Sequence, residues 1–259
     1  MEFTMTNNDQ KQIDSQLNFT CRNHLDSVIL INAILIESEN LSSMHYQKLA
    51  ELYPQDLREL LQLAQVEALH AEQLNDCVKQ QEANPDGNLV NKHLTSIHNK
   101  FVEAERNSDV LNCFVIQCLL IESFLISTYL LYLRVANDYT CQVLGRILND
   151  EFNHIEYGEK WFKKNSSPIA DDNIIKCIKE TAPIILGMIH TMRFDMKSIG
   201  IDPNELMIEF ITYLKESLVE IGFSTHNARI LVRSIWTTEV MAQWEGWPYR
   251  QKVVSLLKF

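Results

Sequence analysis

The most constraining feature of the chain is the stretch "VLNCFVIQCLLIESFLISTYLLYL", Val110 to Leu133. It is long and apolar enough to cross a bilayer. Gln117 and Glu122 nevertheless sit near its middle. A carboxylate there would cost about 2.5–3.5 kcal/mol on insertion scales, and no second such segment follows. A helix that is apolar all round can instead be the central helix of a large bundle. No transmembrane segment is therefore expected. Other helices must cover this one, and something must compensate its carboxylate.

The rest of the chain supplies those helices. With 259 residues, 46% of them hydrophobic, and only 7 Gly and 6 Pro, one large helical domain is expected over residues 21–259, after a polar tail at 1–20. That tail has no apolar core of the kind a signal peptide carries. The formal charge of −11 argues against nucleic acid, which needs a basic face. Cys21, Cys77, Cys113, Cys118, Cys141 and Cys177 include no C-x-x-C pair. Reduced, buried thiols and a cytoplasmic location follow as expectations.

Local punctuation marks the helices. The first is expected from about Asp26 to Leu52. The next restarts at "YPQDLRELL", with Pro54 in its first turn, and runs to about Gln80. "EANPDG" reads as a loop, and further helices cover about Asn88–Arg106, the apolar run to about Arg134, and Asp138–Lys164. After "NSSPIADD" a helix over Asn173–Ser198 is expected to bend at Pro183. Asp202 and Pro203 cap and open a helix to about Ile221. "GFST" stops that helix and caps the last segment, His226–Phe259, itself broken at "EGWP". No alternating strand pattern appears, so the fold class is all-α.

Two Glu-x-x-His pairs stand out: Glu67–His70 and Glu151–His154. Residues three apart on a helix project from one face. Alone, such a pair usually marks a solvated face. Here each follows a glutamate set in an apolar run, Glu37 in "VILINAILIESEN" and Glu122 in "CLLIESFLIS". The separations match, with 67 − 37 = 30 and 151 − 122 = 29. The second set follows the first by 85, 84 and 84 residues (122 − 37, 151 − 67, 154 − 70). One Glu from each of two helices and Glu-x-x-His from each of two more is the ligand pattern of di-iron and di-manganese four-helix bundles. Four carboxylates in an apolar core need cations, and two Fe2+ ions balance their charge. The candidate metal ligands are thus Glu37, Glu67, His70, Glu122, Glu151 and His154, with Glu67 and Glu151 bridging.

Weaker candidates surround them. Asp150 is placed to support a ligand histidine. Tyr129, Tyr46 and Cys77 are candidates to line the site or to be packed core residues. Glu39, Glu72 and Glu159 read as solvated. Trp236, Trp244 and Trp247 read as packing against the bundle. Lys160, Lys163 and Lys164 are a candidate basic patch for an acidic partner.

The words "INAILIESEN", "CLLIESFLISTYLLY", "NDEFNHIEYGEKWFKKN" and "KESLVEIGFST" resemble the cyanobacterial aldehyde-deformylating oxygenases, or long-chain fatty aldehyde decarbonylases, over roughly Asp26–Arg229. Cys77, Gln117, Tyr129 and Asp150 also match that pattern. The resemblance implies a ferritin-like four-helix bundle with additional packed helices and an apolar tunnel. It implies two iron ions, O2 as co-substrate and an external electron donor of the ferredoxin/reductase type. The apolar substrate would be a fatty aldehyde, converted to a shortened alkane plus formate.

Departures from the family pattern leave alternatives open. Glu156 stands where the family has Asn, as a surface residue or as an added oxygen ligand or support. Leu125 replaces a small Ala and is expected to narrow the tunnel; Leu130 replaces His. The segment 234–259 has no clear counterpart. A related di-iron N-oxygenase acting on an alkyl amine, and a ferritin-like iron-binding protein, are the competing readings.

Overall fold

The computed structural model describes residues 24–80, 92–165 and 167–236. The polar tail, Cys21, the "EANPDG" loop, Trp244, Trp247 and the break at "EGWP" lie outside them. The described residues form helices α1 (His24–Leu52), α2 (Leu57–Lys79), α3 (Lys92–Arg106), α4 (Val110–Tyr132), α5 (Asp138–Asn165), α6 (Pro168–Thr191), α7 (Arg193–Ser198), α8 (Pro203–Glu220) and α9 (Thr225–Trp236). A short 3-10 turn, Pro54–Asp56, links α1 to α2. No strand occurs among the described residues. The fold is all-α.

Helix α1 packs along α2, and α4 along α5, while α2 also meets α5; these four make the bundle. Helices α6 and α8 cover α4 from outside. That answers the question raised by its composition: 83% of its apolar window is buried inside the fold. Its hydrophobicity serves contact on every side rather than contact with lipid. Helix α5 approaches it closely at Gly158, where an added Cβ would stand 2.5 Å from Cβ of Cys118.

Expected boundaries are reproduced where a side chain enforces them. The Asp202 carboxylate accepts from the amide of Asn204, with Pro203 in the first turn of α8. Gly222 ends α8 with φ of 114°, and Ser224 Oγ accepts from the amide of Asn227 as α9 begins. Two features were not foreseen. The segment 173–198 is not one helix bent at Pro183; α6 runs through Pro183, and the interruption falls at Met192 (φ −91°, ψ 4°). Within α4, Val115–Ile121 is wound as a π-helix, so the amide of Glu122 donates to the carbonyl of Gln117, five residues back.

Candidate metal centre

Helix α1 delivers Glu39, not Glu37, to the middle of the bundle. Glu39 is fully buried, whereas Glu37 is only partly buried and lies outside the cluster. Two residues on a helix differ by about 200° around its axis, so only one can face inward. The apolar run around Glu37 misled because α1 is buried on more than one face, Ser38, Ser42 and Ser43 included. A signal for the correct residue was present. Glu39 precedes Tyr46 by seven residues, and Glu122 precedes Tyr129 by seven, with 122 − 39 = 83 and 129 − 46 = 83.

The four bundle helices bring Glu39, Glu67, His70 and Glu151 together as one group and Glu67, Glu122, Glu151 and His154 as another. Within each group the donor atoms lie within 4.8 Å of one another. Glu67 and Glu151 belong to both. His70 Nδ1 stands 3.1 Å from Glu151 Oε1, and His154 Nδ1 stands 3.0 Å from Glu67 Oε1. The histidine rings stack with centroids 5.8 Å apart.

The unsatisfied atoms divide the carboxylates into two kinds. Both oxygens of Glu67 and both of Glu151 are buried without a hydrogen-bond partner. Glu39 and Glu122 each leave only Oε2 free, because Oε1 is taken: Tyr129 donates to Glu39, and Tyr46 donates to Glu122 at 2.8 Å. With His70 Nδ1 and His154 Nδ1, eight orphaned donor atoms converge. Leaving such atoms unpaired inside a protein is costly. Two cations, each taking four of them, would satisfy all eight, and oxygen with imidazole suits iron or manganese. The residues present therefore fit a dinuclear metal.

The electrostatics point the same way. Burial pushes the Glu67 carboxyl well above its usual range, reinforced by Glu151, Glu39 and Glu122. Burial does the same to Glu122, with Glu151 adding to it. Burial opposes charge on His70 and His154, yet the surrounding carboxylates prevail and raise them to about 12 and about 9. The buried carboxylates thus call for positive charge among them, which protons or divalent cations can supply.

A second layer holds these groups. His70 Nε2 donates to Asp150 Oδ2 at 3.3 Å, which turns Nδ1 toward the cluster as the nitrogen that would bind a metal once its proton is displaced. Gln117 Nε2 donates to Glu122 Oε1 at 2.9 Å and to Ser42 Oγ at 3.0 Å; the π-turn stacks Gln117 over Glu122 to allow it. His45 Nδ1 donates to Gln117 Oε1 at 2.8 Å, and His98 Nδ1 lies 3.1 Å from His45 Nε2. Burial lowers His45 to about 3, so the ring is neutral. It accepts from His98, and a chain of donors runs inward to Glu122. His45 and His98 carry no motif spacing; only the packing of α1 on α3 and α4 joins them.

Other expectations divide. Tyr129 is in the site and Asp150 lies against a site histidine, whereas Glu156 is on the surface, paired to Lys160 at 2.7 Å. It sits five residues after Glu151, and an undistorted α5 turns it outward. Glu39 is not solvated, and Glu159 is half-buried. Glu72 is exposed as expected. Cys77 is buried, with Thr140 as a side-chain partner, on the side of α2 that meets the start of α5. Lys163 pairs with Glu220, so two of the candidate basic patch are already engaged.

The chain matches the family described as long-chain fatty aldehyde decarbonylase over residues 22–235. It is also similar to a solved structure, a Synechococcus protein with aldehyde deformylating oxidase activity, at 29% identity and a TM-score of 0.80. That match covers 83% of this chain and 98% of the other. A helical bundle with paired carboxylate–histidine groups at its centre and a family match spanning nearly all of its described residues together place this chain in the long-chain fatty aldehyde decarbonylase family.

Proposed function

We propose that the protein is an O2-dependent di-iron oxygenase that converts a long-chain fatty aldehyde to a hydrocarbon one carbon shorter plus formate. The observation that carries this is the set of eight orphaned donor atoms, divided into two groups of four that share Glu67 and Glu151, in a chain of this family. Two iron ions would supply O2 activation, with electrons from an external donor of the ferredoxin/reductase type. Glu39, Glu67, His70, Glu122, Glu151 and His154 would hold them. Tyr129 and Tyr46 keep the two terminal carboxylates turned to present one oxygen each. Asp150 keeps His70 Nδ1 turned toward the cluster.

An apolar lining stands beside these groups. A small apolar void of about 10 Å³, room for no more than one water, is lined by Leu41, Leu94, Ile121, Phe124, Ile185 and Met188, among others. Ile121 adjoins Glu122 in the chain, and Ser38, which also lines it, adjoins Glu39. The lining is apolar throughout, as an alkyl chain would need, and such a chain would have to open the void by moving these side chains. Leu125, fully buried one turn beyond Glu122, is the proposed limit on chain length. None of the five cysteines among the described residues is in a disulfide, in keeping with a cytoplasmic setting.

Glu156 bears on the competing amine N-oxygenase. It departs from the family pattern, but its surface position, paired to Lys160, keeps it out of the donor set. The test supplies iron, O2 and a reductant with a fatty aldehyde or an alkyl amine side by side. Formate and a shortened alkane are expected. A hydroxylamine product with no alkane would overturn the assignment, and iron oxidation with mineral growth and no organic product would point to storage.

A further inference from the structure

The two halves of the centre are related by a nearly constant offset, and they differ at one place where that offset predicts a match. Asp150 precedes Glu151 on α5 and accepts from His70 Nε2. The equivalent residue on α2, preceding Glu67, is Val66. His154 Nδ1 faces the cluster as His70 Nδ1 does, but no hydrogen-bond partner stands at His154 Nε2 among the described residues. That side of His154 opens on a surface groove whose lining includes Glu59, Leu63, Val66, Asp150 and Asn153. Asp56 is close by, accepting from Tyr157 at 3.1 Å, and Tyr157 lines the groove too.

We propose that the two metal positions are unequal, and that the one held by His154 exchanges its ion through this groove while the one held by His70 retains it. The inference rests on the dinuclear reading above. A carboxylate accepting the outer N–H of a ligand histidine fixes the ring and makes its other nitrogen a stronger donor, and losing such a partner typically costs about 10–100-fold in metal affinity. His70 has that support and His154 does not. The terminal carboxylates differ in the same direction. Glu122 Oε1 accepts two hydrogen bonds, from Tyr46 and Gln117, which draw charge away from its free oxygen. Glu39 Oε1 accepts one, from Tyr129. The groove carries Glu59 and a half-exposed Asp150 at its mouth, which favours a divalent cation on its way in and disfavours an anion.

The test reads metal release rather than turnover. The full-length metal-free protein is loaded with Co(II) without oxygen, and release to excess chelator is followed by cobalt absorption. Two phases of one ion per chain are expected, with rates about 10–100-fold apart. Val66→Asp should slow the fast phase about 10-fold, and Asp150→Asn should speed the slow phase until the two merge. Circular dichroism checks that each variant folds; if Val66→Asp does not, the wild type and Asp150→Asn decide. Release of both ions in one phase from the wild type, or an unchanged fast phase in folded Val66→Asp, overturns the proposal and leaves the dinuclear centre standing. A wild type that binds no Co(II) overturns the dinuclear reading and this proposal with it.

Discussion

Tyr129 and Tyr46 look equivalent in sequence, but the structure makes their removal unequal. Both are fully buried, and each donates to the Oε1 of a site carboxylate across the bundle. Tyr129→Phe leaves Glu39 Oε1 with no donor, since no other hydrogen bond reaches it. Tyr46→Phe leaves Glu122 Oε1 still paired to Gln117 Nε2 at 2.9 Å. A hydrogen bond to a charged group contributes about 1.5–3 kcal/mol, and an acceptor left buried and unpaired adds its own penalty. Tyr129→Phe should therefore cost about 2–4 kcal/mol in the metal-free protein. Tyr46→Phe, with its acceptor still satisfied, should cost about 0.5–1.5 kcal/mol. At about 2–4 °C per kcal/mol for a chain of this size, the two melting temperatures should fall by roughly 4–16 °C and 1–6 °C. Phe fills nearly the same volume as Tyr, so cavity effects are small and common to both. Thermal denaturation of the two variants beside the wild type, all treated with chelator, decides it. Equal losses, or a larger loss for Tyr46→Phe, would refute the reasoning.

Four further outcomes are expected. Glu39→Gln should lower bound iron from about two per chain toward one, while Glu37→Gln, a partly buried position outside the cluster, should keep both ions; metal analysis after desalting checks this. Gly158→Ala must push α5 off Cys118 and should cost about 1–3 kcal/mol by overpacking, read by urea denaturation. His45 is lowered to about 3 by burial, so its contribution is complete above the unfolded value near 6.5 and is lost as pH falls toward 3; His45→Asn, which still offers Gln117 a donor, should flatten the acid limb of the stability curve, and an unchanged limb would count against a neutral His45. Leu125→Ala should cost about 2–5 kcal/mol and admit longer aldehydes; an unaltered chain-length profile would remove Leu125 as the limit.

Much of this molecule could be read before any coordinates. Long periodic segments with few Gly and Pro can only be helices, and the capping residues at Asp202 and Ser224 fixed where two of them begin. The spacing of Glu67–His70 and Glu151–His154 placed each pair on one helix face, because helical geometry makes residues three apart neighbours whatever surrounds them. Glu122 was legible because a carboxylate amid so many apolar residues needs a compensating partner.

Tertiary structure decided what local spacing cannot. The apolar run of α1 does not distinguish Glu39 from Glu37; the matched spacing to Tyr46 and Tyr129 hinted at Glu39, and the rotation of α1 set by its packing against α2 and α4 decided it. Glu156 went to the surface because α5 stays regular there, whereas α4 does not stay regular before Glu122, where a π-turn carries Gln117 over the carboxylate. The His98–His45–Gln117 chain joins helices distant in sequence, so no local pattern announces it. The difference between Asp150 and Val66 was present in the sequence all along. It acquired meaning only when the bundle set one against His70 Nε2 and left the other beside a buried histidine that lines a surface groove.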